Sequence, residues 1–489
     1  MELQINSKCK IDFSLSNNAS LIQPTQTIVK SKYKKSKCTE CNRRRKPLYE
    51  GDQICHVCYK IKSHDIRQSG NEVIDEFIKY TQINLVTSAG KMEFVPYDQF
   101  EDIEFISEGG FSKVYKATWI NGPVTGWNGN NNYRKCNYTV VLKKLKNSIN
   151  ITSKELNELK VFYNIFAKKK RLYSSSNVCK YFGITRDPDS QEFVIVMPYY
   201  ISGDLIHYIT KNFYKISWVD KLEHLIYIEQ GLNNIHSLDI IHRDFHSGNI
   251  FFGKIDDFIR SRISIGDLGI SKSATESESN ENYGIIPYMA PEIFQGQKYT
   301  KASDVYSLGM IMWELMTCRR PFWDRNHDTE LILDICDGLR PPIVTNAPEG
   351  YIELMKECWH SDPQKRPQAD DITNKLSKID SKEYRNRFNN PTKIIESSNI
   401  GPVTINNPGA IYKSRSLSVM INSAMSLKSS RSQFINLEKG KRRFEDDLIK
   451  DDNGEDRSIK RKKLYENDDY LTRELELDID LDFDNNGIL

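Results

Sequence analysis

Apolar and polar residues alternate on both sides of a Gly-containing turn in residues 103–118 (IEFISEGGFSKVYKAT), the pattern of a β-hairpin. Tyr138–Lys143 (YTVVLK) is a β-branched run ending in lysine and predicts another strand. A helix is expected from about Thr152, reading TSKELNELKVFYNIF. Thr152 or Ser153 suits its N-cap, and Leu156, Leu159 and Phe162 recur at helical spacing. Phe193–Met197 (FVIVM) is continuously apolar, as in a strand buried on both faces, and Pro198-Tyr199-Tyr200 ends it. Trp218–Leu238 carries a long helical pattern, and Asn- and Gly-rich 121–137 reads as a surface loop. Residues 381–489 are rich in Ser, Asn and charge with little apolar periodicity, which predicts a mostly disordered tail.

With 489 residues the chain has room for two or three domains. Its hydrophobic share of 38% is low for a wholly packed protein, in keeping with an unstructured part. The net charge of +3 conceals segregation: residues 1–60 hold twelve Lys/Arg against five Asp/Glu, and the last twenty hold six Asp/Glu against one Arg. Both ends therefore read as interaction segments. Met1–Lys10 lacks the apolar core of a secretion signal, and no apolar run approaches the roughly 18–20 residues of a membrane span. A reducing cytosolic or nuclear setting is expected, where paired cysteines favour metal over disulfide.

Four of the ten cysteines form two knuckles, Cys38-Thr-Glu-Cys41 and Cys55-His-Val-Cys58, thirteen residues apart. Four thiolates so spaced suit tetrahedral Zn²⁺ in a small ribbon, although the gap is slightly short of the usual one. The bland alternative is two incidental pairs in a flexible arm. Arg43-Arg44-Arg45-Lys46 lies between them, but charge runs are more often solvated, so nucleic acid is not the expected partner.

Residues 242–249 read HRDFHSGN, and Asp267-Leu268-Gly269 follows. Phosphoryl transfer needs a carboxylate to accept the proton of the attacking hydroxyl, and oxygen ligands to hold Mg²⁺ against the phosphates. Asp244 suits the first task, Asn249 and Asp267 the second.

The octapeptide and its partner motif resemble the catalytic and metal-binding loops of eukaryotic protein kinases. At least six motifs fall in that family's order over residues 98–380. The resemblance implies an α+β, two-lobed fold: a small β-rich N-lobe and a larger helical C-lobe. Around it, residues 1–30 read as a disordered N-terminus, 31–66 as the zinc-ribbon-like module, 67–97 as a linker with a helical segment, and 381–489 as the charged tail.

It also implies binding of ATP and Mg²⁺ and protein substrates. Ile106, Ser107, Glu108, Gly109, Gly110, Phe111, Ser112 and Val114 would form the phosphate-covering hairpin, with only the central glycine, Gly109, retained. Lys143 would grip the α- and β-phosphates, partnered by Glu158, with Glu155 the alternative one turn earlier. Val141, the gatekeeper Met197 and the hinge groups of Pro198 and Tyr200 would hold adenine. His242 is expected to pack, Asp304 to brace the catalytic loop, and Glu292 to pair with Arg366. Arg243 would sense a phosphate on the segment that carries Ser271, Ser273, Thr275, Ser277, Ser279 and Tyr283.

Met312-Trp313-Glu314-Leu315 and Glu357-Cys358-Trp359 resemble the tyrosine-kinase-like branch. The cysteine pairs and charged tail are similar to the expanded kinase sets of mycorrhizal fungi. The chain departs from the family at Ser107, Ser112, Val141, Leu268, Ile285 and, above all, His246, where Ser/Thr kinases usually carry lysine. Ser/Thr specificity is expected, with Tyr or dual specificity and a catalytically dead scaffold as alternatives. A third reading makes the zinc module primary. The sequence leaves the oligomeric state open.

Overall fold

The computed structural model describes residues 34–47, 51–63, 68–84, 91–110, 112–128, 131–151, 156–168, 177–253, 262–269, 272–273, 282–403 and 405–430. They divide into two compact units. Residues up to 205, 227–242 and 248–274 belong to the first; 206–226, 243–247 and those from 275 onward belong to the second.

The first unit is built on six strands in the order Glu93–Phe94, Gly183–Arg186, Phe193–Pro198, Tyr138–Leu145, Ser112–Trp119 and Phe100–Glu108. Only the first pair is parallel. The apolar run accounts for the central strand. Phe193, Ile195 and Met197 enter one core cluster with Leu159 and Phe162, while Val194 and Val196 enter another with Trp119 and Val140. Successive side chains point to opposite faces, so a strand covered on both sides must be apolar throughout. The helix Asn157–Lys168 covers the first face. Its expected start, residues 152–155, lies outside the described residues.

One expectation about this unit changes. Residues 121–137 are not a plain loop: Val124–Asn128 and Asn131–Arg134 pair as an antiparallel hairpin. Arg134 ties it down, donating to the Glu93 carboxylate at 3.1 Å and the Gly122 carbonyl at 2.7 Å. Gly122 is obligatory there, since a Cβ would lie 1.7 Å from the Lys135 carbonyl oxygen. The helical segment expected within residues 67–97 is present, and it packs into the first unit. The helix Glu72–Asn84 buries Ile74, Phe77 and Ile78 in the same cluster as Leu159, and Glu93–Phe94 adds a strand to the sheet. Nearer the N-terminus, Ser36–Lys37 pairs with Arg44–Arg45, and a helix spans His56–Ser63.

The second unit centres on the helix Lys301–Thr317, whose residues are buried from Ser303 to Thr317, as a helix apolar on nearly every face requires. The Ser303 hydroxyl accepts the Thr300 N–H at 3.0 Å and closes its N-terminus. A Cβ on Gly309 would meet Cys358 and Trp359 atoms at 3.1 Å, so glycine lets the helix Tyr351–Cys358 approach closely. The Tyr351 hydroxyl donates to the Met312 carbonyl at 2.8 Å across that contact. Arg366 binds both oxygens of Glu292, at 2.6 and 2.7 Å, in a fully buried fork.

The described part of the tail, residues 381–403 and 405–430, departs from the expected disorder. The helix Ala369–Asn386 runs past residue 380, and the chain then continues as a strap along the second unit. Ile400, Leu417, Ile421 and Ala424 are buried, and residues 418–430 are helical. Full burial of a Leu or Ile side chain contributes about 1.5–3 kcal/mol, so a few isolated apolar residues suffice where periodicity is absent. Arg415–Ser416 pairs antiparallel with Tyr283–Gly284. Two basic runs, Lys441–Arg443 and Lys460–Lys463, which in sequence suit either a nuclear import signal or a solvated tract, and the alternating acidic and apolar Glu474–Phe483, which suits either a strand added to a partner or a disordered end, lie outside the described residues. No helix among the described residues is long and apolar enough to cross a membrane.

Candidate functional site

In the first unit the sheet places the expected nucleotide-binding residues on one face. Lys143 lies opposite Val114 and Ile195 on its neighbouring strands, and Val141 lies opposite Met197. Ser107 faces Val114, and Ser112 faces Leu145. Directly opposed residues share a face, so Ser107, Ser112, Val114, Val141, Lys143 and Met197 line one surface. Ile106 and Glu108 end the strand Phe100–Glu108, and the Gly109 N–H closes the turn on the Ser112 carbonyl at 2.8 Å. Gly110 follows in a bend, and Phe111 lies outside the described residues. Tyr200, beyond the central strand, is buried and stacks on Phe251 with ring centroids 5.5 Å apart.

Lys143 donates to Glu158 Oε2 at 2.9 Å and to Asp267 Oδ1 at 2.7 Å. Burial alone would push the ammonium pKa down. The Asp267 and Glu158 carboxylates more than reverse this and hold it above its ordinary value, so the lysine is a fixed cation. Glu155 lies outside the described residues. Asp267 adopts a left-handed backbone (φ 56°), which turns its side chain toward Lys143. Leu268 is fully buried, so it fills the packing role left by the absent phenylalanine. Asn249 accepts the Gly266 N–H on its carbonyl at 2.9 Å, and the His242 ring lies 3.1 Å from the Gly266 carbonyl. Gly266 has no room for a side chain: a Cβ would come within 2.7 Å of the Cys179 sulfur.

Three supporting residues went unread in the sequence. The Tyr181 hydroxyl donates to Glu158 Oε1 at 2.6 Å, which fixes that carboxylate from behind. The Asn157 amide donates to the Leu268 carbonyl at 3.3 Å. Lys146 donates to the Gly109 carbonyl at 2.9 Å and pairs with Glu108 at 2.6 Å, pinning the hairpin tip. No periodicity or motif marks such partners, because the contacts are long-range.

In the second unit, Asp244 is buried and His246 Nε2 lies 3.6 Å from its Oδ1. The unexpected histidine is therefore a neighbour of the candidate base. Arg243 is left-handed (φ 73°) and its N–H donates to Asp304 Oδ1 at 3.0 Å. Its guanidinium lies 4.4 Å over the Tyr299 ring, and its Nε is buried with no hydrogen-bond partner among the described residues. Glu314 was also missed as a site element. Burial pushes its carboxyl up to about 7, although the Tyr288 hydroxyl at 2.6 Å and the Ser247 hydroxyl at 3.0 Å both donate to it. An acid inside the apolar run Met312–Leu315 was its signal in the sequence.

A separate cluster lies near the N-terminus. The sulfur atoms of Cys38, Cys41, Cys55 and Cys58 all lie within 4.8 Å of one another. Tetrahedral bonding at about 2.3 Å implies sulfur edges of ~3.8 Å; Cys41 and Cys55 are 3.7 Å apart. None of the four is in a disulfide. Burial works against the Cys38 thiolate, but N–H groups of Cys55, Cys41 and Glu40 outweigh it and bring the thiol down to about 6. Burial pushes Cys58 the other way. The donor set is compatible with a zinc ribbon.

Residues 100–376 match the profile of a family described as protein tyrosine and serine/threonine kinase. Among curated proteins, the chain is 30% identical over 297 residues to a protein of the Acanthamoeba polyphaga mimivirus named as a serine/threonine-protein kinase/receptor; the match covers 60% of this chain and 16% of that one. It is 30% identical over 294 residues to a Dictyostelium discoideum protein named as the serine/threonine-protein kinase pats1, covering 58% and 9%. It is 28% identical over 321 residues to stress-activated protein kinase alpha of Dictyostelium discoideum, covering 63% and 46%. The chain thus spans less than half the length of each of these relatives.

Proposed function

Because the chain belongs to the protein tyrosine and serine/threonine kinase family, we propose that it transfers the γ-phosphate of ATP to serine and threonine hydroxyls of protein substrates. The observation that carries this reading is the Lys143 ammonium, held charged between Glu158 and Asp267 on the sheet face that bears Val114, Val141 and Met197. Lys143 would hold the α- and β-phosphates as a point charge while Glu158 keeps it in place. Asn249 and Asp267 would supply oxygen ligands to Mg²⁺, which when bound would offset the phosphate charge. The acceptor hydroxyl attacks the γ-phosphorus, the bond to ADP breaks, and Asp244 takes the hydroxyl proton. The relatives named as serine/threonine kinases support that acceptor class over tyrosine.

Purified full-length chain with Mg²⁺ and radiolabelled ATP should label serine and threonine in a generic substrate. Asp244→Asn should abolish labelling, since an amide cannot accept the proton. Equal labelling by both proteins would refute the assignment, and so would label confined to tyrosine refute the acceptor class.

The finer readings rest on local features. Met312–Leu315 and Glu357–Trp359 support the tyrosine-kinase-like branch. The convergent Cys38, Cys41, Cys55 and Cys58 sulfurs support a structural Zn²⁺, which would fold residues 34–63 around itself. The buried, unpartnered Nε of Arg243 supports a role in ordering a phosphorylated segment after Asp267, most of which lies outside the described residues. A cytosolic or nuclear location is proposed from the reduced cysteines of such a site.

A further inference from the structure

The strap formed by the tail touches the second unit where chemistry is expected. Tyr283 lies opposite Ser416, and Gly284 opposite Arg415, in an antiparallel pair. The pairing continues: the Leu417 N–H donates to the Asn282 carbonyl at 2.8 Å, and the Asn282 N–H donates to the Ser418 hydroxyl at 2.9 Å. Gly284 adjoins the candidate base, since a Cβ built on it would lie 3.9 Å from Asp244 Oδ1. That Cβ would also press on the Met289 sulfur at 3.0 Å. Glycine thus keeps the backbone of this edge close to the Asp244 carboxylate.

A strand edge with unpaired N–H and C=O groups binds extended peptides by adding them as a further strand. Here the added strand comes from the chain itself. It reads Lys413-Ser414-Arg415-Ser416-Leu417-Ser418, a hydroxyl at every second residue, with basic Lys413 and Arg415 on either side of the first. The segment is well anchored. Leu417 is buried, the Arg415 guanidinium donates to the His327 carbonyl at 2.8 Å, and the Tyr412 hydroxyl donates to the Pro321 carbonyl at 2.8 Å. The Ser414 hydroxyl oxygen is buried with no hydrogen-bond partner among the described residues. An unsatisfied hydroxyl is an odd feature for a purely structural strap, because it forfeits a hydrogen bond that water would supply.

We propose that the edge Asn282–Gly284 is the docking site for extended, serine-containing basic peptides, and that residues 414–418 occupy it in cis and compete with substrate. The role of Asp244 in this rests on the phosphotransfer reading above; the occupancy of the edge does not. A tethered segment competes at an effective concentration in the millimolar range. A peptide from outside therefore sees only the fraction of molecules whose strap is open, and its apparent affinity falls by that fraction.

The test uses a fluorescent synthetic peptide of residues 411–420, titrated into full-length protein and followed by anisotropy. Two full-length variants loosen the strap. Leu417→Asp puts a charge into its buried anchor. The double variant Tyr412→Phe, Arg415→Ala removes the bonds to Pro321 and His327 and leaves Leu417 in place. At least one variant with a wild-type-like melting transition should bind the peptide ten times more tightly than the wild type. In that variant the KM for a serine peptide should fall by a similar factor with kcat little changed. If neither variant gains tenfold in affinity, the proposal is overturned. Because binding needs no phosphate transfer, the two readings fail separately. Tighter binding without transfer sinks the phosphotransfer reading alone; transfer with unchanged affinity sinks the docking edge alone.

Discussion

Replacing Glu158 by glutamine tests the centre of the first unit. The change removes one charge, keeps the side-chain length and leaves an oxygen that still accepts from the Tyr181 hydroxyl. The Lys143 side chain is 11% exposed and Glu158 4%, so their pair is largely desolvated. Removing one partner of a buried pair costs about 3–5 kcal/mol when nothing replaces it. Here Asp267 remains 2.7 Å from the ammonium, but its side chain is 46% exposed and more screened. The loss of folding stability without ligand should therefore be smaller, about 1–2 kcal/mol. In the proposed reaction Asp267 would be engaged with Mg²⁺, leaving Glu158 as the anion that positions Lys143. The effect on catalysis should then approach ~3 kcal/mol, about a hundredfold in kcat/KM for ATP. Initial rates at varied ATP, with a melting curve for each protein, separate the two effects. A variant within twofold of wild-type kcat/KM would show that Glu158 does not position the lysine. An equal loss in the melting curve and in the rate would mean that the pair is structural only.

Three other predictions concern groups outside that cluster. Lys221 is buried with no hydrogen-bond partner for its ammonium among the described residues, and its Nζ lies 3.9 Å from the Phe213 ring centroid and 4.9 Å from that of Trp218. Burial pushes it down to about 7 from the usual 10.5, a gap of about 5 kcal/mol at 1.36 kcal/mol per tenfold, from which two ring contacts worth ~2 kcal/mol each subtract. A lysine depressed in the folded state destabilises fully below pH 7, and the penalty fades as pH rises toward 10.5. Lys221→Met should therefore raise stability by about 1–3 kcal/mol at pH 6 and by much less near pH 10, measured by denaturant unfolding; a pH-independent change would contradict the assignment. Elemental analysis of the full chain should find one zinc, lost in Cys41→Ser, and a chain that never carries zinc would remove the ribbon. Glu292→Gln strands the buried Arg366 guanidinium and should cost about 3–5 kcal/mol, read as a fall in the denaturant midpoint; a midpoint within error of wild type would exclude the fork as a stabilising element.

The parts of the fold that were legible in the sequence are those where one residue's neighbours are set by period. Phe193–Met197 announces a strand buried on both faces because every position is apolar. Lys143 and Glu158 were offered by the resemblance to kinase motifs, with Glu155 left as the alternative, and the structure sets Lys143 2.9 Å from Glu158. The hairpin at 124–134 was hidden because Asn and Gly suit turns, while its strands are held by Arg134 and backbone ladders. The strap was hidden because Ile400, Leu417, Ile421 and Ala424 are spread through Ser- and Asn-rich chain. Each is buried by a surface made elsewhere in the sequence, which local pattern cannot reveal. The partners Tyr181, Asn157 and Lys146 were unreadable for the same reason.

The strap also bears on where a fragment for expression should end. Motif matches would place the cut near residue 380, inside the helix Ala369–Asn386. Such a cut removes the end of that helix, with Glu383, whose two oxygens accept from Thr392 at 2.8 Å. It also uncovers the surfaces that Ile400, Leu417, Ile421 and Ala424 close. A fragment ending there would present fresh apolar area to solvent and tend toward aggregation. One ending after residue 430 would retain the helix 418–430 and the pairing to Tyr283–Gly284. For this chain, the unit to express is set by buried contacts and reaches some fifty residues past the last family motif.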